Sequence, residues 1–459
     1  MTTATQSGAG SLDDQAIAGL EASDLAHLLH PQYYAPDHTH PVIYDHGEGV
    51  WLTDVRGRSY IDGLASLWNV AIGHGRAELA DVAAEQMRKA AFVNNYTGYS
   101  NVPAIELAAK LTGGLAYDNL QGVFFTNSGS EANEGAAKTA RFYWNLRGRP
   151  DKVKIIARPR AYHGGTLLTT AMTGLPPFWK YFGPLPAEVV HATEPEDPCE
   201  CVPNTDGECA CWLDTVIERE GAETIAALIA EPVKGAGGVW VPSDEYFAQV
   251  REICDRNEIL FIADEVITGY GRTGHWFALE HWGVQPDIMT MSKAITSGYV
   301  PLGGFLVSGE IMDALQDLPP DARFMHAYTN SAHPTACAVA LRNLQIIEDE
   351  NLVEDAAAMG ERLGEGLASE LGDHPHVDNI RRLGLMAGLS LVRDRASGER
   401  FDPSEGTGGR VARHMREEGA VITRFVVDEI VVAPPLVVQP EEIDQIVGAI
   451  SAAVRAVTE

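Results

Sequence analysis

Residues 259–263 (I-L-F-I-A) constrain the fold most: an unbroken apolar run of strand length that ends abruptly in two carboxylates, Asp264 and Glu265. A strand that is apolar at every position must be covered on both faces, as in a parallel sheet. Comparable strand-length runs stand at 122–126, 154–157, 224–230, 288–291 and 304–308. Helical spacing fills 78–91, 103–113, 132–146 and 244–257. This alternation over 120–310 predicts an α/β fold, with a mostly parallel central sheet and helices on both faces. Such sheets bind ligands at the carboxyl ends of their strands. The polar residues that follow the runs are therefore the candidates for function.

One of them is Lys293. The run Ile288, Met289, Met291 breaks at Ser292–Lys293, and Gly298, Gly303 and Gly304 surround a turn at Pro301. An ammonium at the end of a buried strand is costly unless it is paired or neutral. Desolvation lowers a lysine pKa and favours a Schiff base with a carbonyl. A lone lysine more often snorkels to water, but Asp264 ends a second buried strand. An amine and an acid at neighbouring strand ends suit pyridoxal phosphate, whose carbonyl takes the lysine and whose pyridine nitrogen stays protonated beside a carboxylate. At 126–134 a strand runs into T-N-S-G-S-E-A-N-E, and the helix it opens presents free N–H groups suited to a phosphate. The same stretch also reads as a plain cap with Glu131 or Glu134 as capping acid. Tyr162, just after a strand end, can stack on a flat heterocycle. His163 can act as a general base, but Lys293 already fills that role, so packing is preferred for it.

Six ordered motifs carry a resemblance: F-T-N-S-G-S-E-A-N (125–133), Y-H-G (162–164), A-E-P-V (230–233), A-D-E-V-I-T-G-Y-G-R-T-G (263–274), S-K-A-I-T-S-G-Y-V-P-L-G-G (292–304) and H-A-Y-T-N-S-A-H-P (326–334). Together they make the chain similar, from about Tyr44 to Pro440, to class III aminotransferases of the ω-amino acid and amine:pyruvate group. The resemblance implies a fold type I PLP transferase: a large domain around the sheet, and a smaller α/β domain from the C-terminal part and N-terminal segment. Lys293 and Asp264 take the catalytic positions. Ser128, Gly129 and Ser130 match the phosphate site, Tyr162 and Val266 the two ring faces, and His163 and Glu231 the cofactor's surroundings. Trp68, Tyr96, Tyr162 and Arg424 fall at the substrate mouth. Arg424 stands nine residues before Ala433, the spacing of a mobile arginine that pairs with substrate carboxylates. Thr329 matches a threonine that reaches the partner subunit's cofactor phosphate, which implies a homodimer, or a tetramer of paired dimers. Asn330 and Ala332 replace the aromatic and glycine common there. The implied reaction is ping-pong transfer from an ω-amino acid or amine to a keto acid, with pyruvate expected. Alternatives are an ornithine, GABA or diamino-acid transaminase, an aminomutase, or a non-catalytic protein that keeps the fold.

Along the chain, 1–62 is expected as an N-terminal segment joining the small domain, 63–334 as the large PLP-binding domain and 335–459 as the small C-terminal domain. Residues 1–35 read as a ragged tail and a helix capped by Ser23 or Asp24, 50–60 as a hairpin around 54–57, and 381–392 as one strand. The run C-E-C-V-P-N-T-D-G-E-C-A-C (199–211) could bind zinc, but pairs spaced by one residue are unusual for it. It is read as a surface loop with reduced thiols, in preference to a structural metal or a disulfide, and no metal ligands are assigned. A net charge of −30, from 64 acidic and 34 basic residues, disfavours nucleic acid and anionic membranes as partners. Acid-rich, lysine-poor composition suggests work at high salt. No apolar run approaches a membrane span, and the polar, acidic start lacks a signal segment. The expected location is the cytoplasm.

Overall fold

A computed structural model describes residues 12–193 and 203–459. Near the start of the chain, β1 (Tyr44–Glu48), β2 (Trp51–Asp54) and β3 (Ser59–Asp62) form an antiparallel meander. The central sheet follows: β4 (Leu120–Thr126), β5 (Lys154–Ala157), β6 (Val189–His191), β7 (Ile225–Ala230), β8 (Leu260–Asp264), β9 (Ile288–Met291) and β10 (Gly303–Ser308). Their spatial order is β4-β10-β9-β8-β7-β5-β6. β6, β5, β7, β8 and β9 run parallel, while β10 is antiparallel to both its neighbours. Two reversals restore direction, so β4 ends at the same sheet edge as the parallel strands. Every residue of β7, β8, β9 and β10 is buried, as runs without polar alternation require.

The C-terminal part contributes β11 (Val377–Leu383), β12 (Met386–Leu391), β13 (Val421–Ile422), β14 (Arg424–Val426) and β15 (Glu429–Val432). β11, β12, β15 and β14 form an antiparallel sheet, whereas β13 pairs in parallel with β3. The helices Leu352–Leu371 and Pro440–Thr458 cover that sheet, burying Leu363, Leu367, Ile446 and Ile450. No helix among the described residues is long and apolar enough to cross a membrane.

Three expectations need correction. The first helix, Asp14–His27, is capped by Asp13, whose carboxylate accepts from Ala16 N at 2.8 Å; Ser23 and Asp24 lie inside it. The apolar stretch 381–392 is two strands, because Gly384 turns the chain at φ +54° with Thr273 backbone packed against it. The cysteine-rich loop is not a surface loop of reduced thiols over its described part. Cys211 is disulfide-bonded, and Asn204, Glu208 and Cys209 are buried. The cause of the burial is Lys234: its enclosed ammonium draws in Asp206 (2.5 Å) and Glu208 as counter-ions. Cys199 and Cys201 lie outside the described residues.

Candidate active site

Strand register brings the site together. Ala230 pairs with Ala263 and Asp264 with Thr290, so the residues that follow β7, β8 and β9 leave the sheet side by side: Glu231, Asp264 and Lys293. Lys293 sits at φ +47°, a left-handed conformation that costs a β-carbon-bearing residue about 1–3 kcal/mol. That turn aims its side chain into a cleft of about 330 Å³, lined also by Gln32, Trp68, Tyr162, Ile267 and Arg424. Desolvation lowers the Lys293 pKa below the ordinary lysine value, opposed by Asp264 and Glu231 and aided by Arg424. Among the described residues no carboxylate forms an ion pair with it.

Asp264 is buried and accepts hydrogen bonds from four groups. One carboxylate oxygen accepts from Asn133 Nδ2 at 2.8 Å and His163 Nδ1 at 2.7 Å; the other accepts from Val266 N at 3.1 Å and Thr290 Oγ1 at 3.3 Å. His163 thereby keeps Nε2 buried without a partner. Asn133 and Thr290 were not singled out in the sequence, although Asn133 ends the first of the quoted motifs. Glu231 accepts from Tyr162 N at 2.9 Å and Gly235 N at 3.1 Å, and burial raises its carboxyl pKa. Its role here is to hold the Tyr162 backbone.

The helix Gly129–Leu146 starts where β4 ends, three residues earlier than its apolar spacing indicates. Ser128 Oγ caps it by accepting from Glu131 N at 3.2 Å, and Ser130 Oγ accepts from Gly165 N at 3.0 Å. The Gly129 and Ser130 N–H groups have no acceptor among the described residues. A β-carbon at Gly129 would stand 2.9 Å from Val266 Cγ1, so only glycine lets these two segments approach.

At the mouth, Trp68 is buried under Arg424, whose guanidinium carbon lies 5.6 Å from the ring centre. Ala65, Ser66 and Trp68 all have positive φ. Asp62 holds this strained turn: its carboxylate accepts from Ser66 N at 2.8 and 2.6 Å and pairs with His74 Nε2 at 2.9 Å. Arg424 has no carboxylate within ion-pair distance among the described residues. Burial lowers its pKa, and the Tyr162 phenol opposes that shift. Gln32 and Ile267 also line the cleft, and neither was anticipated. Ile267 follows Val266 within a quoted motif, whereas nothing in the local sequence marks Gln32. Tyr96 and Thr329 are exposed and stand outside the cleft of their own chain.

A family model for class-III aminotransferases matches residues 33–454. The chain belongs to the class-III aminotransferases. A curated relative, the putrescine–pyruvate aminotransferase of Pseudomonas aeruginosa, is 38% identical over 410 residues, 88% of each chain. Among solved structures, an (S)-enantioselective ω-transaminase of Thermomicrobium roseum is 45% identical with a TM-score of 0.91, covering 96% of this chain and 99% of that one. The ω-transaminase of Pseudomonas jessenii, solved with PMP, is 38% identical with a TM-score of 0.90, covering 96% and 98%. This class-III aminotransferase thus shares its whole architecture with fold type I transaminases.

Proposed function

We propose that the chain is a PLP-dependent ω-transaminase that moves an amino group from an ω-amino acid or an aryl or alkyl amine to a keto acid, pyruvate above all, by a ping-pong mechanism. One observation carries the reading: a desolvated lysine amine and a hydrogen-bonded carboxylate leave adjacent strands at one edge, with an unpaired arginine across the same cleft.

The residues present fit the cofactor. The Gly129 and Ser130 N–H groups, with Ser128 and Ser130 hydroxyls beside them, would hold its phosphate at a helix N-terminus. Val266 and Tyr162 would flank the ring, His163 would pack beside it, and Asp264 would face the pyridine nitrogen. When bound, PLP supplies the carbonyl that Lys293 captures and a ring that accepts electrons from the substrate carbon.

Lys293 Nζ, whose pKa desolvation lowers, takes the substrate's Cα proton and returns one. Asp264, positioned by Asn133, His163, Val266 N and Thr290, would pair with the facing nitrogen and keep it protonated. Trp68, Ile267 and Leu67 exclude water around an apolar amine, while Arg424 receives the carboxylate of an ω-amino acid or keto acid. Pyruvate as acceptor is supported by the relative that uses it.

The active unit in this reading is a homodimer. Leu28, Leu29, Tyr33, Tyr34, Tyr96 and Tyr99 expose apolar surface on one chain, and the exposed Thr329 is available to a partner's cofactor phosphate. The pairing of β3 with β13 supports assigning 1–62 to the small domain with 335–459, leaving 63–334 as the large one. A cytoplasmic location completes the reading.

The test compares wild type and Lys293→Ala with β-alanine, a benzylic amine and GABA as donors and pyruvate as acceptor. Wild type should bind PLP with visible absorbance and use the first two donors. The variant should lose activity by at least about 10²–10⁴-fold. A variant that turns over normally, or borohydride labelling of another lysine, would refute the assignment; preference for GABA would move the enzyme to the biosynthetic transaminases.

A further inference from the structure

Outside the cleft, one group of side chains is assembled like a ligand set. Asp24, in the last turn of the helix Asp14–His27, receives two imidazoles. His30 Nε2 lies 3.1 Å from both of its carboxylate oxygens, and His38 Nε2 lies 2.8 Å from one of them. The two imidazole centres are 3.8 Å apart, and one ligand atom from each of the three residues falls within 4.8 Å of the others. All three residues are partly buried.

We propose that Asp24, His30 and His38 form a binding site for a divalent transition-metal ion, with zinc as the type case, that fastens the 24–38 segment over the mouth of the cleft. Two imidazoles and one carboxylate are a borderline-soft donor set that suits zinc and not calcium or magnesium. Ligands about 2.1 Å from a tetrahedral zinc ion stand about 3.4 Å apart. The nitrogen–oxygen spacings of 3.1 and 2.8 Å need to open by about 0.3 and 0.6 Å to admit the ion. Each imidazole then keeps its hydrogen on Nδ1, for which no other partner is seen among the described residues, and turns the Nε2 lone pair to the metal.

The position gives such an ion a task. The helix Asp14–His27 buries only Ile17, so little hydrophobic burial within the chain secures this segment. Between His30 and His38 the chain carries Gln32, held at φ +54° and forming part of the cleft wall. A metal joining the helix end to His38 would supply the fixing energy that burial does not.

Untagged holoenzyme, dialysed against chelator, is titrated calorimetrically with zinc chloride beside the D24N/H30Q/H38Q variant. One zinc per wild-type chain is expected, with binding at least tenfold weaker in the variant, whose unchanged cofactor absorbance shows that it is folded. Zinc should also slow amide hydrogen exchange over residues 28–34 in wild type alone. No zinc uptake by wild type, or equal uptake by the variant, overturns the site; uptake that leaves exchange unchanged overturns the fastening of the segment.

Discussion

At the scale of single residues, the cleft is organised by charges that lack their usual partners. Arg424 is half-buried, has no counter-ion among the described residues and lies over Trp68. In the proposed function a substrate supplies its carboxylate. Arg424→Ala should raise KM for pyruvate and β-alanine about 10–100-fold, the worth of a hydrogen bond to a charged group, while KM for a benzylic amine changes little. Equal effects on both kinds of donor would show that the arginine is only structural. Lys293 leads to a pH prediction. Its folded pKa is below 10.5, so between the two values the unfolded chain binds more protons and stability rises with pH. In cofactor-free protein, Lys293→Met removes this term. The variant should melt above wild type near about pH 8, with the gap closing toward the unfolded lysine value; a gap that stays constant with pH would place the amine in water.

At the scale of elements, the sheet was legible because fully buried strands leave unbroken apolar runs, and the strands β5, β7, β8, β9 and β10 fall within a residue or two of those runs. The stretch 381–392 misled because the apolar character of β12 continues back through Leu385 and Leu383 into the end of the more polar β11, and nothing in composition distinguishes Gly384 as a turn from Gly388 within a strand. The difference is tertiary, since a β-carbon at Gly384 would meet Thr273 backbone at 2.2 Å. Gly384→Ala should therefore destabilise by more than the roughly 1 kcal/mol of an ordinary strained turn, lowering the melting temperature while leaving kcat of the surviving fold intact. An unchanged melting temperature would mean that the turn relaxes freely. The first helix shows the converse: Asp13 and Asp24 are equally good capping residues by type, and only the fold assigns one to the cap and the other to two histidines.

At the scale of the molecule, the excess of 64 acidic over 34 basic residues sets self-repulsion against compactness, which salt relieves. Thermal unfolding should shift upward from low to high potassium chloride, and, if the proposed dimer forms, sedimentation should give twice 49.6 kDa at both salt levels. Indifference of melting to salt would remove the high-salt reading, and a monomer that stays fully active would remove the dimer.

The sequence by itself determined the parallel sheet, the lysine and acid at its edge, and the glycine- and serine-rich start of the helix that follows β4. Each is written locally, as an apolar run followed by a polar break. Only the tertiary structure decided that Asn133, Thr290 and His163 converge on Asp264, that Asp62 strains the turn under Trp68, and that Gln32 reaches the cleft. Those contacts join residues remote in the chain, and strand register and loop packing, which set their distances, leave no mark on the residues taken one stretch at a time.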